Sequence, residues 1–281
     1  FDEYELFENK IDAGVLSPDV LHVLASLMEQ SAVFLIFTGS QHLESRRRDF
    51  WAILGRSLYR TVSYLERNDA LNLIQKPVEG LVNYQGDTIA NIYRLTSGQP
   101  FYTQAVCQNL VDRLNDSRTN DATEVRLAEV TQDLIENPLP QMIFLWDGLE
   151  PDEKLVLALL AEALATPAEF ATAQQVEQLM KKRRYPLDLT TARINTVTEK
   201  LFQQEMLLKD EGVGESVGYA FRMDLWRLWV RRMHSPWQVV REVGIKVRKP
   251  LLPPGVAWGG GLLLTAAVVA AGVIARREAV T

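Results

Sequence analysis

The chain has 281 residues, 47% of them hydrophobic, and its 30 basic and 36 acidic side chains give a net charge of -6. That composition excludes a disordered tail and is enough to build about two packed domains. A single cysteine, Cys107, excludes an intrachain disulfide, and three scattered histidines, His22, His42 and His234, make no metal-ligand cluster, which is the pattern of a reducing, cytoplasmic chain.

The charge is uneven. Residues 1–140 hold 12 basic and 20 acidic side chains, and residues 141–281 hold 18 and 16. The front half therefore lacks the electrostatics of a nucleic-acid surface. The chain opens on "FDEYE", with the adjacent acids Asp2 and Glu3. "SPDVLHVLASLMEQ" predicts a helix capped by Ser17, with Pro18 at its first position and its end near Gln30. The near-continuous apolar run "AVFLIFTGS" follows and stops at Thr38, Gly39 and Ser40. Such a run predicts a parallel strand covered on both faces. After a polar helix, "TVSYL" predicts a short strand, and Asn68 a cap for "DALNLIQKPV". Strand and helix in alternation predict a parallel α/β sheet with function at the carboxyl ends of its strands. Both Asp2-Glu3 and Thr38 to Ser40 fall at such ends.

From about residue 69 to residue 137 the pattern turns helical, with Gly98 at one helix end and Pro100 at the next helix start. After Pro138 and Pro140, three helical segments precede "LLKDEGVGESVGYAFRM", which predicts a hairpin with Gly212 and Gly214 at its turn. Three helices followed by a hairpin predict a winged helix. Residues 224–249 then carry seven basic side chains against two acidic ones, and 255–275 carry no charge. That stretch predicts one transmembrane helix with the bulk of the chain on the cytoplasmic side of the cell (inner) membrane. Small residues at Gly255, Gly259, Ala267 and Ala271 would let two such helices approach closely and self-associate.

These segments resemble a known family. "FDEYE" resembles the end of a Walker B strand, "FLIFTGS" the sensor 1 strand, and "LTSGQPFYTQAVCQNLV" the Gly-x-Pro lid motif of AAA-plus-like P-loop ATPases of the STAND signal-transduction type. The resemblance covers about residues 1–235 and lies in the order of the motifs. No G-x-x-x-x-G-K-[ST] occurs in the 281 residues, so the phosphate-cradling loop is absent and the chain is expected to be the C-terminal portion of a longer protein. The implied organisation is an α/β partial ATPase core at 1–68, a helical lid at 69–137, a winged helix at 138–235, a basic linker at 236–254, the transmembrane helix at 255–275 and a tail at 276–281.

What the resemblance implies chemically is ATP and Mg²⁺ as cofactors. Asp2 would hold the Mg²⁺ shell and Glu3 would polarise the attacking water. Thr38 or Ser40 would bond the γ-phosphate or the water, Gly98 and Pro100 would belong to the nucleotide contact of the lid, and Arg56 would reach the nucleotide of a neighbouring subunit in a homo-oligomer. The resemblance implies an ATPase in the full-length protein and an inactive chain without its Walker A loop. The alternative is a non-enzymatic winged-helix regulator of DNA with a degenerate ATPase remnant. Its recognition helix, "LTTARINTVTEKLFQQEM", carries only Arg193 and Lys200 as bases against Glu199 and Glu205, which disfavours nucleic acid as a partner. The runs Arg46–Arg48 and Lys181–Arg184 read as solvated faces, Trp226, Trp229 and Trp237 as core and interface anchors, and Cys107 as core packing.

Overall fold

The computed structural model describes residues 1–30, 33–39, 58, 60–185, 187–213 and 216–243. The chain forms two compact units, 1–65 and 66–281.

In the first unit, α1 (Tyr4–Asp12) and α2 (Asp19–Met28) pack an extended segment, 33–39. Tyr4, Leu21 and Leu24 are the buried centre, with Phe7, Ile11, Leu35 and Phe37 against them. Gly14, at φ 71°, turns the chain out of α1: its N–H bonds the Ile11 carbonyl and the Val15 N–H bonds that of Lys10. Only a residue without Cβ adopts that left-handed conformation at little cost. Along 33–39 the apolar side chains alternate, Leu35 and Phe37 facing the core while Phe34 and Ile36 are 91% and 76% exposed. The segment is thus covered on one face, where its composition predicts cover on both.

The second unit begins with α3 (Arg67–Gln75), α4 (Thr88–Thr96), α5 (Pro100–Asp116) and α6 (Glu124–Glu136). Two short strands, β1 (Asn83–Tyr84) and β2 (Asp121–Ala122), pair in parallel beside them. Next come α7 (Pro140–Asp147) and α8 (Pro151–Ala163). Leu155 to Ala161 are all essentially buried, as expected of a helix that is apolar all round and must be enclosed by its neighbours. Around it stand β3 (Ala171–Thr172), α9 (Ala173–Lys182), α10 (Thr191–Gln203), β4 (Leu207–Val213), β5 (Ser216–Phe221), α11 (Asp224–Met233) and α12 (Pro236–Glu242). The three strands form an antiparallel sheet in the order β3-β5-β4, with Ala171 opposite Tyr219 and Leu207 opposite Phe221.

Three expectations are corrected. The α/β class with a partial parallel-sheet ATPase core gives way to a mostly helical α/β chain: among the described residues the parallel strands are β1 and β2 in the second unit, and the segment 33–39 forms no strand. "TVSYL" forms no strand, and α3 starts after Glu66 and not at Asn68. The transmembrane helix, and with it the single-pass inner-membrane placement, is withdrawn: no helix among the described residues is long and apolar enough to cross a membrane, and 255–275 lie outside the described residues.

Candidate functional site

The first unit brings together three of the residues singled out from the sequence. The Phe1 amino group donates to the Ile36 carbonyl at 2.8 Å, and the Thr38 N–H donates to the Phe1 carbonyl at 2.9 Å. A residue whose two backbone groups reach the neighbours on either side of its partner is paired in parallel. Phe1 therefore pairs with Phe37, and their rings stack at 5.4 Å. One residue further on, Asp2 lies beside Thr38 and accepts a hydrogen bond from its Oγ1 through Oδ1. The same Oδ1 accepts from the Glu3 N–H at 3.1 Å. These donors, the Thr38 hydroxyl first, hold the Asp2 carboxyl below its ordinary range, because they stabilise the charged form.

Glu3 leaves the pairing. It sits in the left-handed region at φ 49°, ψ 52°, and the next bond to the segment comes from Tyr4, whose N–H reaches the Thr38 carbonyl at 2.9 Å. A non-glycine residue there costs on the order of 1 kcal/mol or more. Asp2, Glu3 and Thr38 are all exposed, so two adjacent carboxylates and a hydroxyl face solvent at the end of a paired segment. Ser40 and Arg56 lie outside the described residues.

Gly98 and Pro100 belong to the second unit, where their local roles are structural. Ser97 at φ 50° and Gly98 at φ 77° end α4. Gln99 then caps α5, its Oε1 accepting from the Tyr102 N–H at 2.9 Å, and Pro100 takes the first helical position. Gly98 is buried and Pro100 half-buried.

Contacts that sequence reasoning missed join distant parts of the second unit. The Ser97 hydroxyl donates to the Arg222 carbonyl at the end of β5. Arg227 is buried on α11, its Nε 2.7 Å from Asp224 Oδ1 and its Nη1 3.1 Å from the Leu164 carbonyl beyond α8. An open cleft of about 510 Å³ lies between α10 and the sheet, lined by Thr172, Gln174, Asn195, Glu199, Lys209 and Tyr219. Glu199 is engaged within it, accepting from the Tyr219 hydroxyl at 3.0 Å and pairing with Lys209 at 3.2 Å. No single-residue signal marks these long-range contacts.

On α10, both bases of the would-be recognition helix face acids of α8. Arg193 pairs with Asp152 at 2.6 Å and Lys200 with Glu153 at 2.8 Å. Meeting a phosphate backbone would require breaking both pairs. Burial pushes the Cys107 thiol up to about 12, so it carries no thiolate chemistry near neutral pH. Among the described residues no group of three or more His, Cys, Asp and Glu could hold a metal.

No protein-family profile and no curated protein matches the chain. Among solved structures it is similar to a chain of Drosophila ORC bound to DNA, at 13% identity and a TM-score of 0.27 over 69% of this chain. It is also similar to Cdc6p from Pyrobaculum aerophilum, at 15% identity and a TM-score of 0.33 over 82% of this chain. It spans 49% and 65% of the lengths of those two chains. At these scores the likeness fixes neither fold nor function.

Proposed function

We propose that this chain contributes the acidic pair, the lid and the following domain of an ATP-binding, ATP-hydrolysing switch of the AAA-plus-like, STAND type. Residues 1–68 would be part of the ATPase core, 69–137 the helical lid and 138–235 a winged-helix domain. The observation that carries the reading is the Asp2–Thr38 hydrogen bond beside the Phe1–Phe37 parallel pair. It sets an ionised carboxylate, a second carboxylate and a hydroxyl at the end of adjoining parallel segments, as the motif order of the sequence requires. The order α8, β3, α9, α10, β4, β5 with the sheet order β3-β5-β4 supports the winged-helix assignment.

The residues present fit Mg²⁺ and ATP. Asp2 is exposed and held ionised, and it offers one oxygen donor to a hard cation whose remaining ligands are phosphate and water oxygens. When bound, the cation neutralises phosphate charge. Glu3 accepts a proton from the attacking water. Thr38 has a single hydroxyl proton, committed to Asp2, so its oxygen is left to accept from a water and not to donate to the γ-phosphate. Arg56 would complete the site of a neighbouring subunit, and Pro100 with Gly98 would bring the lid to the nucleotide.

The test is Mg²⁺-dependent ATP binding by the protein that carries this chain together with a phosphate-cradling loop. Asp2→Asn should weaken binding on the order of tenfold or more in Mg²⁺ and leave it unchanged in EDTA. Equal affinities in Mg²⁺ would overturn the assignment.

A further inference from the structure

Two basic stretches that read separately in the sequence, Lys181–Arg184 and the run after Asp224, meet around one aromatic contact. Tyr185 follows the first stretch and Trp237 lies on α12, and their rings touch edge to face at 5.2 Å. Trp237 is 47% exposed. One turn along the same helix, Arg241 Nε donates to the Trp237 carbonyl at 3.3 Å, so Arg241 and Trp237 share a face.

The cations here divide into two groups. Lys181 pairs with Glu177 at 2.6 Å and Arg183 with Glu162 at 2.9 Å, and Glu162 also accepts from the Tyr185 hydroxyl at 2.5 Å. Those acids are thereby engaged. Lys182, Arg184 and Arg241 are exposed and have no acidic partner among the described residues. Arg231 and Arg232, at the end of α11, are exposed as well, and Met233 beside them is 39% exposed. Glu242 is the only acid on α12. Arg241 on its own helix, and Lys182 and Arg184 next to its ring partner Tyr185, thus set unpaired cations beside a half-exposed tryptophan.

We propose that this face, with Trp237 at its centre and Lys182, Arg184 and Arg241 around it, docks on an anionic phospholipid surface. Arginine and lysine heads meet the headgroup phosphates while the indole enters the boundary above the acyl chains. The contact is made at headgroup level by the described helices and needs no spanning helix. A single half-exposed indole, held edge to face by Tyr185, is no platform for stacking successive bases, which favours lipid over a nucleic acid.

The experiment is co-sedimentation of the full chain with vesicles of phosphatidylcholine alone or with one third phosphatidylserine, at near-physiological salt. Anionic vesicles should bind more tightly, and raising the salt should weaken them. A cation near such a surface contributes roughly a fivefold factor, so Lys182→Gln, Arg184→Gln and Arg241→Gln together should lose about a hundredfold in affinity for anionic vesicles. In a second arm, a blue shift of tryptophan emission on anionic vesicles should shrink in Trp237→Phe, a substitution that keeps the packing on Tyr185. Equal binding to neutral and anionic vesicles, or an unchanged affinity in the triple variant, would overturn the proposal. So would a triple variant that loses binding to a single-stranded oligonucleotide while keeping its vesicle affinity.

Discussion

Thr38 donates its hydroxyl hydrogen to the carboxylate of Asp2, 36 residues earlier in the chain. The bond follows from the parallel pairing of Phe1 with Phe37, which sets the two next residues side by side. Removing the hydroxyl without changing the shape of the side chain isolates its effect. In Thr38→Val the Asp2 carboxyl should titrate closer to its ordinary range, because the first of its two hydrogen-bond donors is gone. Carbonyl-detected NMR titration reads this directly. An Asp2 midpoint that does not rise would mean that the pair does not form in solution.

The buried pair of Asp224 and Arg227, exposed by only 5% and 4%, ties α11 to the chain beyond α8 through the Leu164 and Ala165 carbonyls. Arg227→Ala should cost about 3–5 kcal/mol in chemical denaturation, since it leaves Asp224 and two carbonyls without their donor. Asp224→Leu combined with Arg227→Met should cost distinctly less. Equal losses in the single and double variants would contradict this.

His234 closes α11 and stacks on Trp146 of α7 at 4.1 Å, with Trp229 edge-on at 4.6 Å. Burial, aided by the charge of Lys154, lowers its pKa to about 4. A depressed histidine binds its proton in the unfolded chain first, so the folded state loses stability as pH falls from about 6.5 toward 4 and regains it on return. His234→Phe should flatten that dependence. The midpoint of thermal unfolding at a series of pH values checks it, and an equally steep profile in the variant would exclude His234 as the cause.

Gly98, at φ 77° and buried, should resist replacement. Gly98→Ala is expected to destabilise the second unit by about 1 kcal/mol, the cost of forcing a Cβ into the left-handed region. Urea unfolding with an unchanged midpoint would show that the turn relaxes.

How much of this was legible depended on sequence distance. The break between α4 and α5 could be read at Gly98 and Pro100 because a left-handed turn and an N-terminal proline are local requirements. The hairpin of β4 and β5 forms where the sequence predicts one, but Gly212 lies within β4 and Gly214 lies outside the described residues. "AVFLIFTGS" was harder. Its apolar residues do adopt an extended conformation, yet pairing and cover are tertiary properties, and only the Leu35 and Phe37 face is packed. The Ser97–Arg222 bond spans 125 residues, and nothing in either local sequence announces it. Within the candidate site, the Asp2-Glu3 pair was legible as chemistry, while the left-handed turn at Glu3 was not, since glutamate has no preference for it.

Under the proposed function, the exposed Asp2-Glu3 pair serves nucleotide hydrolysis. The most direct test is single-turnover ATP cleavage by Glu3→Gln in the protein carrying both this chain and a phosphate-cradling loop. ATP binding should stay close to wild type and cleavage should slow on the order of a hundredfold or more, because the water loses its proton acceptor. Cleavage at the wild-type rate would contradict it.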